Sequence, residues 1–277
     1  MSRRRELDQR LRKLGEIGEI MRSMKNLALM ETRKLTRFLE AQEQSVRLLE
    51  ATAEDFLNFH PDLGAKHPFS SQAILVLGSE RGFCGDFNEE LLVALEAQAA
   101  SASMILAVGS KLCARLESHP ALAEKFDGPA IAEDVPKTLN PLIQAIGRLQ
   151  ENRKCQGLIV LHHRSGMVDI ARKSLLPPFI KNLQAESEQH YPPLLNLTPT
   201  NFYAELVHHY LFAALYEIFY TSLMAENQRR IQHLEGAIQR LDDKNEDLAR
   251  KSRTLRQNEI TEEIEVILLS VDGNVDR

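Results

Sequence analysis

Proline is missing from both ends of this chain. All eleven prolines lie between Pro61 and Pro199, so the first 60 residues and the last 78 of the 277 contain none. Inside a helix, proline removes a hydrogen bond and clashes with the preceding turn, at a cost of about 3 kcal/mol. Its absence permits long helices at the two ends, while the middle must be built differently. Cysteine is scarce as well. Cys84, Cys113 and Cys155 have no metal-ligand spacing, and three cannot close a disulfide framework, which points to a reducing compartment. No apolar run approaches the roughly 18 residues that span a bilayer. No apolar segment follows the basic start Arg3-Arg4-Arg5, and acidic residues come too early for an organellar transit peptide, so a cytoplasmic chain is expected. With 43% hydrophobic residues, 26% charged residues and a net charge of −5, the composition excludes wholesale disorder and an integral membrane protein.

What the ends do contain is a period. From Leu7, apolar residues return at alternating spacings of four and three through Leu11, Leu14, Met21, Met24, Ala28, Leu35, Leu39, Val46, Leu49, Ala53 and Phe56. A 3.5-residue repeat held this long marks a coiled-coil seam. Gly18, Lys25 and Thr32 occupy seam positions, so residues 15–32 are expected to pack less tightly than their flanks. The same period runs from Leu206 through Leu223, Leu234, Ile238, Leu241 and Leu248 to Leu255. At 1.5 Å per residue, helices over 3–57 and 202–270 would be about 80 and 100 Å long. A compact chain of this length has a radius of gyration of about 19 Å, which both helices outrun. Two such helices most economically pair with each other, antiparallel; homodimerisation through either is the alternative. Residues 202–220 hold seven of the sixteen aromatics and are apolar on more than one face, which predicts burial against the middle segment.

Between residues 72 and 200 the pattern changes to short apolar runs. Ala73–Leu77, Met104–Val108 and Leu158–His162 read as buried strands and Met167–Leu175 as an edge strand, with amphipathic helices over Glu89–Ala99, Ser110–Glu117 and Leu139–Glu151. The fold class expected is thus a long antiparallel two-helix coiled coil with a central Rossmann-like α/β domain. Its divisions are an N-terminal helix at 1–57, a linker at 58–71, the α/β domain at 72–200 and a C-terminal helix at 201–277.

The first strand runs into Gly78-Ser79-Glu80-Arg81-Gly82-Phe83-Cys84-Gly85-Asp86-Phe87-Asn88. Glycine-rich strand-to-helix turns cradle phosphates, because free backbone N–H groups and the helix dipole point there. Against that use, the dinucleotide pattern and the P-loop Lys-Ser/Thr are absent, and Glu80 and Asp86 would repel an anion. Asp169 and the His162-His163-Arg164 run stand without a nucleophile–base spacing. No catalytic residue, cofactor or metal is expected.

Three stretches resemble the gamma subunits of F-type ATP synthases, and the likeness covers essentially the whole chain. Leu7-x-x-Arg10-Leu11 followed by Ile20-Met21-Arg22-Ser23-Met24-Lys25 is similar to the family's opening helix. Ser79-Glu80-Arg81-Gly82-Phe83-Cys84-Gly85, closing with Asn88, resembles the family's Ser-Asp-Arg-Gly-Leu-Cys-Gly loop. Arg256-Gln257-x-x-Ile260-Thr261-x-Glu263 resembles its C-terminal signature, with Glu226, Arg230 and Ala237 at matching spacings before it. There are departures. Gly15-Glu16-Ile17-Gly18-Glu19 replaces the family's Lys-Asn-Thr-Gln-Lys, Val266 stands at an acidic position and Ser270-Val271 at a Gly-Ala pair, as in a divergent bacterial member.

The resemblance implies the non-catalytic central rotor stalk, which couples ion translocation to ATP synthesis or hydrolysis at the beta subunits. Its implied partners are the ring of three alpha and three beta subunits, the epsilon subunit and the membrane c-ring, with no nucleic acid and no membrane span of its own. The implied place is the cytoplasmic face of the bacterial inner membrane. Ser79, Arg81, Gly82, Cys84, Gly85 and Asn88 would form a structural loop. Arg22, Met24, Lys25, Arg33, Arg230, Arg256, Gln257, Thr261 and Glu263 would meet the ring, Arg22, Lys25 and Arg33 facing an acidic loop of beta, since residues 1–37 carry a local balance of +6. Ile264, Ile267 and Leu268 would sit in a hydrophobic collar. The rival reading is a stand-alone α/β enzyme with a glycine-loop cofactor site and coiled-coil dimerisation arms. A scaffold or nucleic-acid binder ranks below both, because the basic cluster lacks interleaved aromatics.

Overall fold

The computed structural model describes residues 2–64, 72–98, 104–151, 156–167, 169–179 and 191–272, the side chains at 2, 3, 151 and 268–272 excepted. In chain order the elements are α1 (Ser2–Phe59), a 3-10 turn (Pro61–Leu63), β1 (Gln72–Leu77), α2 (Phe87–Glu96), β2 (Met104–Val108), α3 (Ser110–Leu116), β3 (Leu122–Phe126), α4 (Val135–Glu151), β4 (Gly157–His162), β5 (Ala171–Leu176) and α5 (Pro199–Asp272). The chain divides into two units, one of residues 1–27 with 231–277 and one of residues 28–230. Both α1 and α5 contribute to each.

The smaller unit is a two-helix seam. Its cross-helix contacts, Arg4 with Glu259, Asp8 with Ser252, Arg22 with Asp242 and Lys25 with Glu235, climb α1 while descending α5, so the helices are antiparallel. Leu234, Ile238 and Leu248 are buried along it. At Gly18 the packing is tight, contrary to the expectation for this stretch. A Cβ there would lie 3.2 Å from Leu241 Cδ2, so the absent side chain is what lets Leu241 approach. Around Gly15, nothing lies within 4 Å of the corresponding position.

The larger unit has a five-stranded sheet in the order β3-β2-β1-β4-β5. All pairings are parallel except β4 with β5. The strands β1, β2 and β4 read as continuous apolar runs because both sheet faces are covered. Ala73, Leu75, Leu77, Leu106, Val108, Leu158 and Val160 face a core with α4 and α5, and α1 adds Leu35, Val46, Ala53 and Phe56 to it. Ile74, Val76, Ile105, Ala107, Ile159 and Leu161 face α2 and α3. Within this unit α5 is enclosed: every residue from Thr221 to Asn227 is buried. α1 lies along it through Phe38 on Tyr220 and Phe56 on Phe202, ring centroids 5.6 and 4.9 Å apart. A polar staple joins α1 to the turn before α4: Glu31 accepts the Ala132 N–H at 2.6 Å, and Lys34 pairs with Glu133 at 2.7 Å.

Several elements depart from the sequence reading: β5 begins at Ala171 where Met167 is expected, and α2 spans Phe87–Glu96 rather than Glu89–Ala99. β3, unforeseen, is a polar edge strand, Leu-Ala-Glu-Lys-Phe, with alternate residues exposed. α4 begins at Val135, four residues before the expected Leu139, with Pro136 in its first turn, where the missing N–H has no partner to lose.

Replacing Gly15 by Ala is expected to raise the stability of the full chain by about 1 kcal/mol, the usual difference in a helix interior. Gly18→Ala should gain clearly less, because its methyl meets Leu241. Urea midpoints followed by circular dichroism check this; equal gains at the two positions would contradict the seam geometry.

Candidate functional site

In an open α/β sheet, ligands bind outside the carboxyl ends of the strands where strand order reverses. Here that point lies between β1 and β4, and the glycine-rich turn after β1 stands over it. The turn is held from within. Asn88 Oδ1 accepts the Ser79 N–H at 3.0 Å, while its amide donates to Ser79 Oγ at 2.8 Å. Gly78 is required by α3, since a Cβ there would lie 2.3 Å from Leu112 Cβ. Phe83 and Gly85 both turn through left-handed backbone, with φ of 65° and 60°.

Two carboxylates then occupy the places an anion would take. Glu80 accepts the N–H of Ser110 at 2.9 Å, the Ser110 hydroxyl at 2.5 Å and the N–H of Gly128 at 2.7 Å, which staples together the loops after β1, β2 and β3. Partial burial pushes its carboxyl up, but these donors outweigh it and the net direction is down. From α5, Glu226 reaches the turn and receives the N–H groups of Arg81 and Glu80. Arg230, one helical turn on, pairs with Glu226. The same guanidinium donates to the Gly82 carbonyl at 3.2 Å, to Asn227 Oδ1 at 2.8 Å and to Cys84 Sγ at 3.4 Å. Glu226 and Arg230 are only 4% and 5% exposed, a burial that a charged pair sustains only when its remaining donors and acceptors are satisfied.

The crevice is therefore plugged by the chain's own helix. A cavity beside the turn, among Gly78, Val108, Pro129, Phe219, Ser222 and Glu226, has a volume of about 10 Å³, room for one water at most. Burial and the nearby Glu226 push the Cys84 thiol up to about 12, so it is no nucleophile. The His pair is structural too. His162 donates from Nδ1 to the His163 carbonyl at 2.9 Å, and burial pulls it down to about 4, so it stays neutral. His163 donates from Nε2 to the Phe87 carbonyl at 2.8 Å and stacks on the Phe87 ring. Next to it, Arg229 grips Glu90 at 2.9 Å. Among the described residues no group of three or more His, Cys, Asp or Glu could hold a metal. The cofactor-site reading of the glycine turn is disfavoured for a physical reason: the N–H groups of Gly78, Ser79, Glu80 and Arg81 are already taken by Val108, Asn88 and Glu226.

The residues proposed from the C-terminal signature behave differently. Arg256, Gln257, Thr261, Glu263, Ile264 and Ile267 are brought together on one exposed stretch of α5, with Thr261 Oγ1 donating to the Gln257 carbonyl at 3.0 Å. The side chain of Leu268 lies outside the described residues. Arg33 is exposed and Met24 half-buried. Arg22 and Lys25 have acidic partners in their own chain, Asp242 at 2.6 Å and Glu235 at 3.4 Å. Arg230 is not at a surface at all; it belongs with Gly82 and Cys84. Of the loop residues, Ser79 and Cys84 are buried, Gly82 and Asn88 half-buried, and Arg81 and Gly85 exposed. The anchoring roles of Glu80 and Glu226 were missed, although Glu226 and Arg230 stand four apart, the spacing of a helical ion pair.

A family model described as ATP synthase matches residues 3–272. The ATP synthase gamma chain of Lachnoclostridium phytofermentans is 25% identical over an alignment of 300 residues that covers 99% of each chain. Among solved structures, a chain in the OSCP/F1/c-ring structure of the Euglena gracilis mitochondrial ATP synthase superposes with a TM-score of 0.70 at 14% identity, covering 98% of this chain and 94% of that one. A chain in the rotor structure of the same enzyme gives 0.66 at 14%, covering 94% and 99%. At these identities the structural likeness speaks for the fold.

Removing one member of the plug should strand the other. Arg230→Leu is expected to destabilise the chain by about 3–5 kcal/mol, the usual effect of leaving a buried charge uncompensated. Glu226→Leu combined with Arg230→Leu should lose much less than the two single changes added together. Urea unfolding of the three variants measures this, and a mild Arg230→Leu would show the pair is not buried as described.

Proposed function

The chain belongs to the ATP synthase family, and from that premise we propose how it works as the family's gamma chain, the central stalk of the rotary complex. It is a non-catalytic subunit: ATP is made or hydrolysed at the beta subunits. It belongs to the F1 sector, peripheral to the membrane, and no helix among the described residues is long and apolar enough to cross a bilayer.

A stalk inside a ring of three alpha and three beta subunits must transmit torque without melting. Two long helices without proline in their interiors, packed on each other, meet that demand, because isolated helices are marginal while a packed apolar face is not. One observation carries the reading of the contact surface. Beyond the Arg4–Glu259 ion pair, α5 runs on with Ile260, Ile264 and Ile267 each about half exposed, at 47%, 51% and 60%. Apolar side chains at that spacing on one helix form a stripe, and such a stripe is soluble only when something covers it. The catalytic ring's hydrophobic collar is the proposed cover, with Arg256, Gln257, Thr261 and Glu263 supplying the polar contacts around it. Contact with the c-ring falls to the Pro-rich segment before α5, where Tyr191 and Leu194 are exposed. The epsilon subunit joins at the same foot, and in a bacterium the whole assembly faces the cytoplasm.

A bearing requires bulk and apolarity rather than particular hydrogen bonds. In the assembled complex, Ile264→Asp with Ile267→Asp is expected to lower ATP-driven ion pumping several-fold, whereas Ile264→Leu with Ile267→Leu should pump normally. Pumping unchanged in the aspartate variant would overturn the collar contact.

A further inference from the structure

β4 closes on His162 and His163 follows it, both buried, at 5% and 3% exposure. Neighbours along an extended strand point to opposite faces, and each of these rings lies beside an ion pair that fastens α5 to the rest of the unit. The charged neighbours of His162 are Lys173 of β5, Glu217 of α5 and Arg164 of its own loop, and Lys173 pairs with Glu217 at 2.7 Å. Those of His163 are Glu90 of α2 and Arg229 of α5, whose guanidinium holds the two carboxylate oxygens at 3.1 and 2.9 Å. The loop that follows is tied to the same stretch of α5 by Ser165, which donates to Gln228 at 2.9 Å.

The arrangement at His163 changes character with one proton. Its Nε2–H is spent on the Phe87 carbonyl at 2.8 Å, so the neutral ring turns the Nδ1 lone pair towards Glu90 Oε2, 3.7 Å away. That oxygen is also the nearer of the two that Arg229 holds. A proton on Nδ1 makes the lone pair a donor to an oxygen already in use. It also sets a second cation beside Arg229, on a buried ring that solvent screens little. His162 has no better outlet. Its Nδ1–H is bound to the His163 carbonyl, and a charge on its ring would add to those of Lys173 and Arg164 while Glu217 is already paired.

We propose that the two histidines form an acid-released latch: protonation of His163, followed by His162, draws Glu90 away from Arg229 and loosens α5 from α2 and β5 while the sheet stays folded. The latch needs only the fold; the stalk reading adds that the loosened joint is the one that carries torque. Burial dominates at both rings and pulls them below the ordinary 6.5, His162 to about 4. A histidine held below its unfolded value favours the neutral form in the fold. The stability it supports is therefore complete above pH 6.5 and is lost as pH falls from there towards about 4.

The test is amide hydrogen exchange of the full chain at pH 7.5 and 5.0, read as protection after correction for the intrinsic exchange rate. At the lower pH, protection of residues 221–230 of α5 should fall about fivefold or more, with β1 and β2 unchanged. His162→Gln with His163→Gln cannot charge, although an amide at position 163 can still donate to the Phe87 carbonyl, and should hold the loss below about twofold. Imidazole ¹⁵N shifts of the wild type give a readout that needs no variant: His163 should pass from the Nε2-protonated tautomer to the doubly protonated ring over the pH range in which α5 loosens. Unchanged protection in the wild type, an equal loss in the double variant, or a His163 ring that stays neutral while α5 loosens would overturn the latch.

Discussion

The buried pair of Glu226 and Arg230 is the interaction on which the α/β unit depends. Through it, one turn of α5 holds the backbone N–H groups of Glu80 and Arg81, the carbonyl of Gly82 and the thiol of Cys84 at once. Such a pair seldom adds net stability over an apolar replacement, because desolvating two charges offsets their attraction. What it contributes is position. An apolar helix can slide or rotate on an apolar sheet at little cost, whereas a charge pair with its hydrogen bonds fixed to one loop has a single place to sit.

That constraint changes what the fold is for. A parallel sheet with a glycine-rich turn at its switch point has the outline of a nucleotide-binding domain. Here the crevice is closed by α5, the anion-binding N–H groups hold Glu226, and the neighbouring loops hold Glu80. The side chains that would ordinarily define a pocket instead join a long helix to a rigid sheet. Lys173 with Glu217, at 2.7 Å, ties α5 to β5, and Arg229 with Glu90 ties it to α2. In a stalk, that attachment is the useful property.

Much of this was legible in the residues. The proline-free ends and their 3.5 period gave both long helices, and the apolar runs gave β1, β2 and β4. β3 escaped because an edge strand covered on one side needs only alternate apolar residues, and Glu124 and Lys125 masked them. Gly18 was misread because a glycine at a seam position signals either a gap or a close approach, and only the partner helix decides which. Arg230 was misplaced for a related reason: a charged residue in a matching motif carries no mark of whether its partner lies in the same chain or another. The exposed end of α5 was readable, since Ile260, Ile264 and Ile267 recur at helical spacing among acidic residues.

A central stalk must turn inside its catalytic ring. Val93, 69% exposed on α2, offers a place for a single reactive cysteine, because Cys84 and Cys113 are buried. With Cys155 replaced by Ser and a bead attached through Val93→Cys, the immobilised complex of this chain with its alpha and beta subunits should rotate the bead in one direction when ATP is added, pausing at three positions in each turn. Hydrolysis of ATP by the intact complex with no directed rotation of the bead would contradict the stalk reading.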